Sequence, residues 1–378
     1  MTGPLSTVLV ADFSRVLAGP YATMLLADLG ADVVKVERPG TGDDTRAWGP
    51  PFAPDGTATY FLGVNRNKRS VALDLRTPGD ATLARELIRR ADVVVENFLP
   101  GTMDRLGLGY AAMRETNPGV VYCSITGFGD GAGAALPGYD LLAQAVGGLM
   151  SVTGEPDAPT KAGVALVDVV TGLHAAFGIL AALRHRDATG EGQQVSVSLL
   201  TSLLSGLVNH ASAYLAAGTV PRAMGNRHPS IAPYEVFETA DRPMVIAAGN
   251  DRQFHSLCTA LGAPRLAADD RFATNEKRVA HREALAAELN ALLATASAEH
   301  WTTSLTSVGV PCGPINDLAG AFGLAESLGL DAAVEVEGVR QSAHPVRFGA
   351  TPASYRSAPP ALDADGNALR KWLAQPSS

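Results

Sequence analysis

Asp168 is the residue with the clearest potential for chemistry. It stands alone in residues 164–172, Val-Ala-Leu-Val-Asp-Val-Val-Thr-Gly, one of the most apolar stretches of the chain. Removing a charge from water without a partner is costly, so a carboxylate at this position calls for a structural or catalytic explanation. The sequence leaves two explanations open. Asp168 is either the N-cap of a helix indicated by the spacing of Leu173, Phe177 and Leu180, or it is held there for catalysis.

Anion recognition is indicated at Glu37 and Arg38, which follow a predicted strand. An acid at this place binds the ribose in dinucleotide-binding proteins, and the Arg38 guanidinium beside it would suit a phosphorylated ribose such as that of coenzyme A. The two side chains can equally form a solvated surface pair. The basic run at residues 65–69 is either a second anion contact or a solvated loop, and Asn97 either binds a ligand or holds its own turn.

Several other kinds of site are disfavoured. The first turn, residues 14–20, lacks G-x-G-x-x-G, the histidines show no metal-binding spacing, and no G-x-S-x-G elbow is present. The net charge of -8 over 378 residues argues against partners that need a basic surface, so we expect no nucleic acid and no membrane as partner. The scattered Cys123, Cys258 and Cys312 indicate reduced thiols. Without a spanning segment or signal peptide, we expect a cytoplasmic protein.

The elements that would position these residues alternate along the first part of the chain. Apolar runs predict strands at residues 8–12, 33–37, 70–74, 92–96 and 120–124. Helical patterns lie between them at residues 21–29 and 84–90. The alternation predicts an α/β fold with a mostly parallel sheet and helices on both faces. Ligands of such sheets bind beyond the carboxyl ends of the strands, here residues 13–20, 38–44, 97–103 and 127–140.

Helices dominate the middle of the chain, and a second unit follows them. Long apolar faces predict helices at residues 139–150, 169–183 and 199–215. Strands at residues 234–237 and 244–247 predict a hairpin, followed by helices at residues 251–261 and 281–295. We therefore predict a large α/β domain over residues 1–200, completed by residues 324–378, and a smaller α+β domain over residues 221–320.

Seven segments of the chain agree, in order and spacing, with one known family. They are Val8–Phe13, Ala18–Pro20, Leu29–Gly40, Asn97–Gly101, Gly190–Gln193, Gly225–Pro229 and Gly309–Pro311. Together they resemble the class III CoA-transferases, the group of formyl-CoA transferase and carnitine CoA-transferase, whose superfamily includes the α-methylacyl-CoA racemases. Agreement of so many ordered segments is far more specific for the superfamily than agreement of any one segment.

The resemblance implies a Rossmann-like, CoA-binding large domain with a parallel sheet, a smaller α+β domain and an interlocked homodimer. It implies transfer of CoA from an acyl-CoA to a free carboxylic acid, with coenzyme A as substrate, no tightly bound cofactor and no metal. Asp168 matches the family's catalytic aspartate. The positions that match CoA-binding residues are Arg15, Val16, Leu17, Ala18, Arg38, Leu73, Leu75, Asn97, Phe98 and Arg105, with Tyr139 near the reacting thioester.

The mechanism implied by the resemblance runs through covalent intermediates on Asp168. Attack of Asp168 on the thioester would give a mixed aspartyl anhydride, which the CoA thiolate would convert to an aspartyl-CoA thioester. The acceptor acid would then take CoA from this thioester through a second anhydride. Desolvation by apolar neighbours would make the carboxylate a better nucleophile, while a helix N-terminus would keep it ionised at neutral pH.

Two other activities stay open as alternatives. A racemase of this superfamily needs a histidine after the glycine of Gly138–Asp140, where this chain has Tyr139; Asp140 or His174 would then have to supply the base. A non-catalytic CoA-binding protein is the other alternative, and the retention of Asp168 with the CoA-binding positions argues against it.

Two departures from the family pattern bear on the substrate. Residues 247–250, Ala-Ala-Gly-Asn, replace a run of glycines, so formyl or oxalyl transfer is not expected, while succinyl-type, branched or steroid acids stay open. Ser196 stands where the family has an acid, which we interpret as a packing or capping change.

Overall fold

The structure is a computed structural model, and it describes residues 3–375. Within these residues there are thirteen strands: β1 (Leu9–Asp12), β2 (Asp32–Glu37), β3 (Lys68–Ala72), β4 (Val93–Glu96), β5 (Val121–Thr126), β6 (Gly154–Glu155), β7 (Ala158–Pro159), β8 (Gln194–Ser198), β9 (Tyr234–Phe237), β10 (Met244–Ala247), β11 (Cys312–Pro314), β12 (Ala333–Val336) and β13 (Val339–Ser342).

Helices connect most of these strands. The α-helices of the described residues are α1 (Ala18–Asp28), α2 (Thr59–Leu62), α3 (Pro78–Arg90), α4 (Thr102–Arg105), α5 (Tyr110–Thr116), α6 (Asp140–Val146), α7 (Leu149–Val152), α8 (Leu166–Thr189), α9 (Leu199–Gly206), α10 (Val208–Ala217), α11 (Asp251–Ala260), α12 (Asn275–Ala280), α13 (Arg282–Leu293), α14 (Ala298–Ser307), α15 (Leu318–Ser327) and α16 (Gly366–Leu373). Single turns of 3₁₀-helix lie at Asp44–Ala47 and Pro264–Leu266.

The chain divides into two compact units. The first comprises the described residues up to 149, residues 161–220 and those from 330 onward; the second comprises residues 150–160 and 221–329. The sequence had assigned residues 150–160 and 324–329 to the large domain. The structure groups the short β6–β7 hairpin with the second unit, in which Gly225 N–H donates to Gly154 O at 2.8 Å.

The first unit is built on a six-stranded parallel sheet, as the alternating pattern predicted. The strand order is β3-β2-β1-β4-β5-β8, and every neighbouring pair is parallel. The centres of the inner strands β1 and β4 are apolar because helices cover both faces of the sheet; Val93, Val94 and Val95 are fully buried. Helices α1 and α8 share one core with the sheet, and α3, α5 and α16 share the other. The edge strand β8 was not predicted.

Helix α8 carries Asp168 and forms part of the core of the first unit. Its inner face, with Ala175 and Ile179, packs among α1 and sheet residues. Where α8 passes α1 the two backbones approach closely: a Cβ added to Gly172 would stand 2.6 Å from Ala18 O. By length and composition alone α8 is also apolar enough to cross a membrane, with a mean hydropathy of 1.9. Its inner face packs in this core, while Leu173, Phe177 and Leu180 are exposed.

Two predicted helices are each divided in the structure. The helix predicted at residues 139–150 becomes α6 and α7 because Gly147 and Gly148 separate them, and Gly148 adopts a positive φ of 87°. The helix predicted at residues 199–215 becomes α9 and α10, which meet at Val208, where φ is 37°. Neither break has a proline, so the continuous apolar pattern concealed both.

The second unit contains an antiparallel sheet in the order β11-β10-β9, and α11, α13 and α14 supply its core with residues such as Phe254 and Trp301. The predicted hairpin is β9 and β10. Residues 247–250 end β10 and begin α11, where Asn250 Oδ1 accepts from Gln253 N–H at 2.9 Å and caps the helix. In this chain the segment therefore starts a helix.

Ser196 does not fit the interpretation made from the sequence. It lies in the middle of β8, opposite Ser124, and is exposed. It therefore neither packs in a core nor caps a helix. The following helix α9 is capped by Ser198, whose Oγ accepts from Thr201 N–H at 3.2 Å.

Candidate active site

The first turn and the turn after β4 are joined by a reciprocal pair of hydrogen bonds. Arg15 N–H donates to Asn97 Oδ1 at 2.9 Å, and Asn97 Nδ2 donates to Arg15 O at 2.7 Å. The Arg15 guanidinium lies over the Phe98 ring, 4.8 Å from its centroid. Asn97 thus holds a neighbouring turn instead of its own, and three of the predicted CoA-binding positions come together.

A cavity of about 330 Å³ contains Asp168. Its walls are residues 15–18 of the first turn, residues 97–100, parts of residues 125–139, Asp44, Leu199 and Asp168 itself. The predicted positions Val16, Leu17, Ala18 and Tyr139 therefore share one space with the predicted nucleophile. Tyr139 is 62% exposed and His174 does not line this cavity.

A second cavity, of about 520 Å³, shares Arg15 and Phe98 with the first. Its other walls include Arg38, Leu73 and Leu75. Nine of the ten predicted CoA-binding positions thus line one or both cavities. Arg105 lines neither; it is exposed on α4 and donates to Thr102 Oγ1 at 2.9 Å.

Loop 128–137, between β5 and α6, contributes one wall of the first cavity. Its two ends touch backbone to backbone, since a Cβ added to Gly127 would stand 2.5 Å from the Cα of Gly138. Only glycine permits this approach. The contact fixes where the loop leaves β5 and where it ends, next to Tyr139.

Glu37 and Arg38 have different partners in the structure, so they do not form a surface ion pair with each other. Glu37 is buried and accepts two hydrogen bonds from Arg46, at 2.8 and 2.7 Å. Arg38 points outward, lines the second cavity and pairs with Asp44. The local pattern did not show this separation, because Arg46, the partner of Glu37, lies nine residues further along the chain.

The basic run at residues 65–69 binds within the protein. Arg66 and Lys68 are buried and pair with Asp28 and Asp12, at 2.6 and 3.1 Å. The partly exposed Arg69 pairs with Asp32 at 2.5 Å. These side chains are neither a solvated loop nor an anion contact.

Asp168 is not the N-cap of α8. The helix begins at Leu166 after the N-cap residue Ala165, which places Asp168 at the third helical position. Asp140 acts as the cap instead: its Oδ1 accepts from Val167 N–H at 2.8 Å and from Asp168 N–H at 3.2 Å. The Asp140 carboxylate is itself held by Gln144, which donates to Oδ2 at 2.6 Å.

This arrangement reverses the expectation that the helix N-terminus keeps Asp168 fully ionised. Burial first, and then the charge of Asp140, raise the pKa of Asp168 to about 7. The helix N-terminus still favours a negative charge, but Asp140 already occupies its free N–H groups. At neutral pH, Asp168 therefore divides between its acid and its carboxylate form.

Tyr60, on the short helix α2, is a neighbour that the sequence did not reveal. Burial first, and then the charges of Asp168 and Asp140, raise the pKa of Tyr60 to about 12. Its ring packs edge-on against Trp48, with centroids 5.4 Å apart. The hydroxyl stays protonated at neutral pH and can only act as a hydrogen-bond donor or acceptor. No sequence motif indicates Tyr60, because the element that positions it is only a single turn of helix.

Comparison with known protein families gives a match over nearly the whole chain. The model of CoA-transferase family III matches residues 5–366. Those residues include both cavities and Asp168.

Curated relatives and solved structures agree with that match. The chain is 44% identical to succinate–glutarate CoA-transferase of Agrobacterium fabrum, over 95% of this chain and 93% of the relative. It is 41% identical to acetyl-CoA:oxalate CoA-transferase of Acetobacter aceti, over 100% and 97%. The crystal structure of a CAIB/BAIF family protein from Brucella suis superimposes with a TM-score of 0.90 at 44% identity, covering 99% of this chain and 100% of that one.

Proposed function

Because the chain belongs to CoA-transferase family III, and is therefore a CoA-transferase that moves CoA between carboxylic acids, we propose that Asp168 is the nucleophile of the reaction. One observation carries the proposal. Asp168 shares a cavity with the first turn and Tyr139, and burial raises its pKa to about 7. Asp44, the other carboxylate that lines this cavity, is paired with Arg38. A carboxylate with a raised pKa is more basic, and so more nucleophilic, than an exposed aspartate once it is ionised.

The proposed reaction has four balanced steps. An oxygen of ionised Asp168 attacks the thioester carbonyl; the C–S bond breaks, and CoA leaves as its thiolate. The thiolate attacks the Asp168 carbonyl of the resulting anhydride, which releases the donor acid and leaves an aspartyl-CoA thioester. The acceptor carboxylate attacks this thioester and expels the thiolate, forming a second anhydride. The thiolate then attacks the acceptor's carbonyl, which yields the new acyl-CoA and frees Asp168. No net proton is taken up or released.

CoA would extend across both cavities in this proposal. The nucleotide half fits the cavity with Arg38, Leu73 and Leu75, where a guanidinium can meet a phosphate. The pantetheine arm would then pass Arg15 and Phe98, the two residues common to both cavities, and bring the thioester to Asp168. Arg105 would approach the phosphates from outside these cavities.

Short dicarboxylic acids are the proposed acyl groups. The relatives described above are named for succinate, glutarate and oxalate. Among the described residues that line the Asp168 cavity, Arg15 is the one cation, and its side chain is 30% exposed. A second carboxylate on the substrate would find its counter-charge there. Oxalate therefore belongs in the test panel although residues 247–250 depart from the glycine pattern.

CoA exchange combined with hydroxylamine trapping tests the proposal. The protein is incubated with succinyl-CoA and isotope-labelled glutarate or oxalate, with and without hydroxylamine. We expect label to enter the CoA pool. Hydroxylamine should inactivate the enzyme only when acyl-CoA is present, leaving a hydroxamate on Asp168 that peptide mass spectrometry detects. Deuterium exchange at the α-carbon without CoA exchange would instead indicate a racemase, and inertness towards every acyl-CoA would indicate a binding protein.

We also propose that two copies of the chain interlock as a homodimer. Helix α10 in the first unit and α15 in the second have no buried residue, yet both are apolar. Leu215 is 81% exposed, Leu318 is 79% exposed, and Phe177 on α8 is 74% exposed. Apolar surface of this extent is typical of an interface.

Light scattering and subunit mixing test the dimer. We expect a dimer mass at every concentration, because interlocked chains cannot part without unfolding. Two preparations with different tags should form no mixed dimers in the native state, and should form them after joint unfolding and refolding. A monomer mass, or rapid native exchange, would contradict interlocking.

A further inference from the structure

The backbone of the first turn is held by three side chains, of which Asp12 and Lys35 are fully buried and Asn97 is half-buried. Ser14 N–H donates to Asp12 Oδ1 at 3.0 Å, and Ser14 O accepts from Lys35 Nζ at 3.0 Å. Arg15 N–H and O are both bonded to Asn97, as described above. Such a turn cannot shift without breaking bonds to groups that water does not reach.

Val16, the next residue, has a strained backbone. Its φ is +71°, in the left-handed region that β-branched residues rarely adopt. Strain of this kind persists only where the surroundings impose it. Here Val16 N–H points at the Asp43 carboxylate, with both oxygens at 3.3 Å.

Asp43 is tied to Lys35 in the interior. Lys35 Nζ lies 2.8 Å from Asp43 Oδ2, and both side chains are fully buried. Burial alone would raise the pKa of Asp43, but Lys35 and the hydrogen bonds from Thr45 overcome it and lower that pKa to about 2. The pair lies under the turn that lines the active-site cavity, and removing either partner would take a close counter-charge from the other, which stays buried.

The turn leads directly into α1, whose beginning faces the cavity of Asp168. The N-cap residue Leu17 makes no side-chain cap, and Val16, Leu17 and Ala18 all line that cavity. The conformation at Val16 therefore sets the direction in which α1 starts. A shift of about 1 Å in a substrate-positioning group is enough to change rates by orders of magnitude.

We infer that Asp43, paired with Lys35, is a positioning residue: it holds Val16 in its strained conformation and so fixes the first turn relative to Asp168. The inference rests on the proposed function of Asp168. It assigns neither Asp43 nor Lys35 a contact with substrate, since neither lines the cavity of Asp168.

The test measures Asp43→Asn and Lys35→Gln in parallel, each alone and combined with Val16→Gly. The first two variants are expected to lower kcat/KM for acyl-CoA roughly tenfold, because the turn relaxes. Glycine adopts a positive φ without strain, so Val16→Gly should recover a substantial part of that loss in the double variants, whatever its effect alone. This non-additivity is a signature that general destabilisation does not produce.

Asp28→Asn is the matched control. Asp28 is also a fully buried carboxylate in an ion pair, with Arg66 at 2.6 Å, but it does not touch the first turn. It should lower the melting temperature while leaving kcat/KM per folded molecule unchanged. Equal losses for Asp28→Asn and Asp43→Asn per folded molecule, or additive effects of Val16→Gly, would overturn the inference. If Asp168→Asn keeps its activity, the proposed function itself fails; if Asp168→Asn is inactive while Asp43→Asn matches the wild type, only this inference fails.

Discussion

Asp168→Asn is expected to lose CoA transfer by at least about 10³-fold, because an amide cannot form the anhydride that carries the reaction. The loss should appear in kcat, with binding of acyl-CoA retained, since the side chain keeps its size. Single-turnover assays with labelled succinyl-CoA measure the chemical step, and equilibrium binding measures the affinity. Asp187→Asn, an exposed carboxylate later on the same helix, is the matched control and should behave as the wild type.

The same substitution should stabilise the protein at alkaline pH. The folded pKa of Asp168, about 7, exceeds its ordinary value of 3.8, so the folded state binds this proton more tightly than the unfolded state. The wild type therefore loses stability as pH rises from about 4 to about 7, and an uncharged amide escapes that loss. A pKa raised by about three pH units corresponds to at most about 4 kcal/mol, so we expect a gain of a few kcal/mol at pH 8 and none near pH 4. An inactive variant that is also less stable at pH 8 would point to a structural role for Asp168.

Asp140→Asn should shift the pH dependence of the reaction. Activity requires ionised Asp168, so kcat/KM of the wild type should fall as pH falls through about 7. Asp140 contributes to the raised pKa by its charge, and an amide in its place still accepts the hydrogen bonds from Val167 and Asp168. The acid limb of the pH profile should therefore move down by roughly one pH unit, which makes the variant relatively about fivefold more active at pH 6, a gain that approaches about tenfold at lower pH.

Asp140→Ala separates charge from capping. It removes the same charge, so its acid limb should move in the same direction, but it also removes the cap and should cost about 1 kcal/mol of stability. An unmoved acid limb in both variants would show that a different group controls the rate. Profiles of kcat/KM between pH 5 and pH 9, at constant ionic strength, make the comparison.

The sequence predicted those parts of the fold that depend on local pattern. Strands β1 to β5 were located within a few residues because buried parallel strands are continuous apolar runs. Strand β8 was missed because, at the sheet edge, it alternates serine with valine and is only half apolar. The breaks between α6 and α7 and between α9 and α10 were concealed because the apolar spacing continues through them.

The electrostatics of the site could not be predicted, because they depend on residues far apart in the chain. Asp168 was recognised from its apolar surroundings, but its cap lies 28 residues earlier, at Asp140. Lys68 looked like a surface charge because its partner Asp12 is 56 residues away. Burial of a charged residue depends on such partners, which a local sequence window does not contain.

The close approach of α8 to α1 at Gly172 has an evolutionary consequence. The contact holds Asp168 on α8 and the turn before α1 in fixed relative positions, and a side chain at position 172 would force the two helices apart. Mutations that change which carboxylic acid the enzyme accepts must then leave this helix contact intact. We expect variation in substrate range among related enzymes to accumulate in loop 128–137 and at exposed Tyr139, where residues can change without moving the carboxylate relative to the thioester.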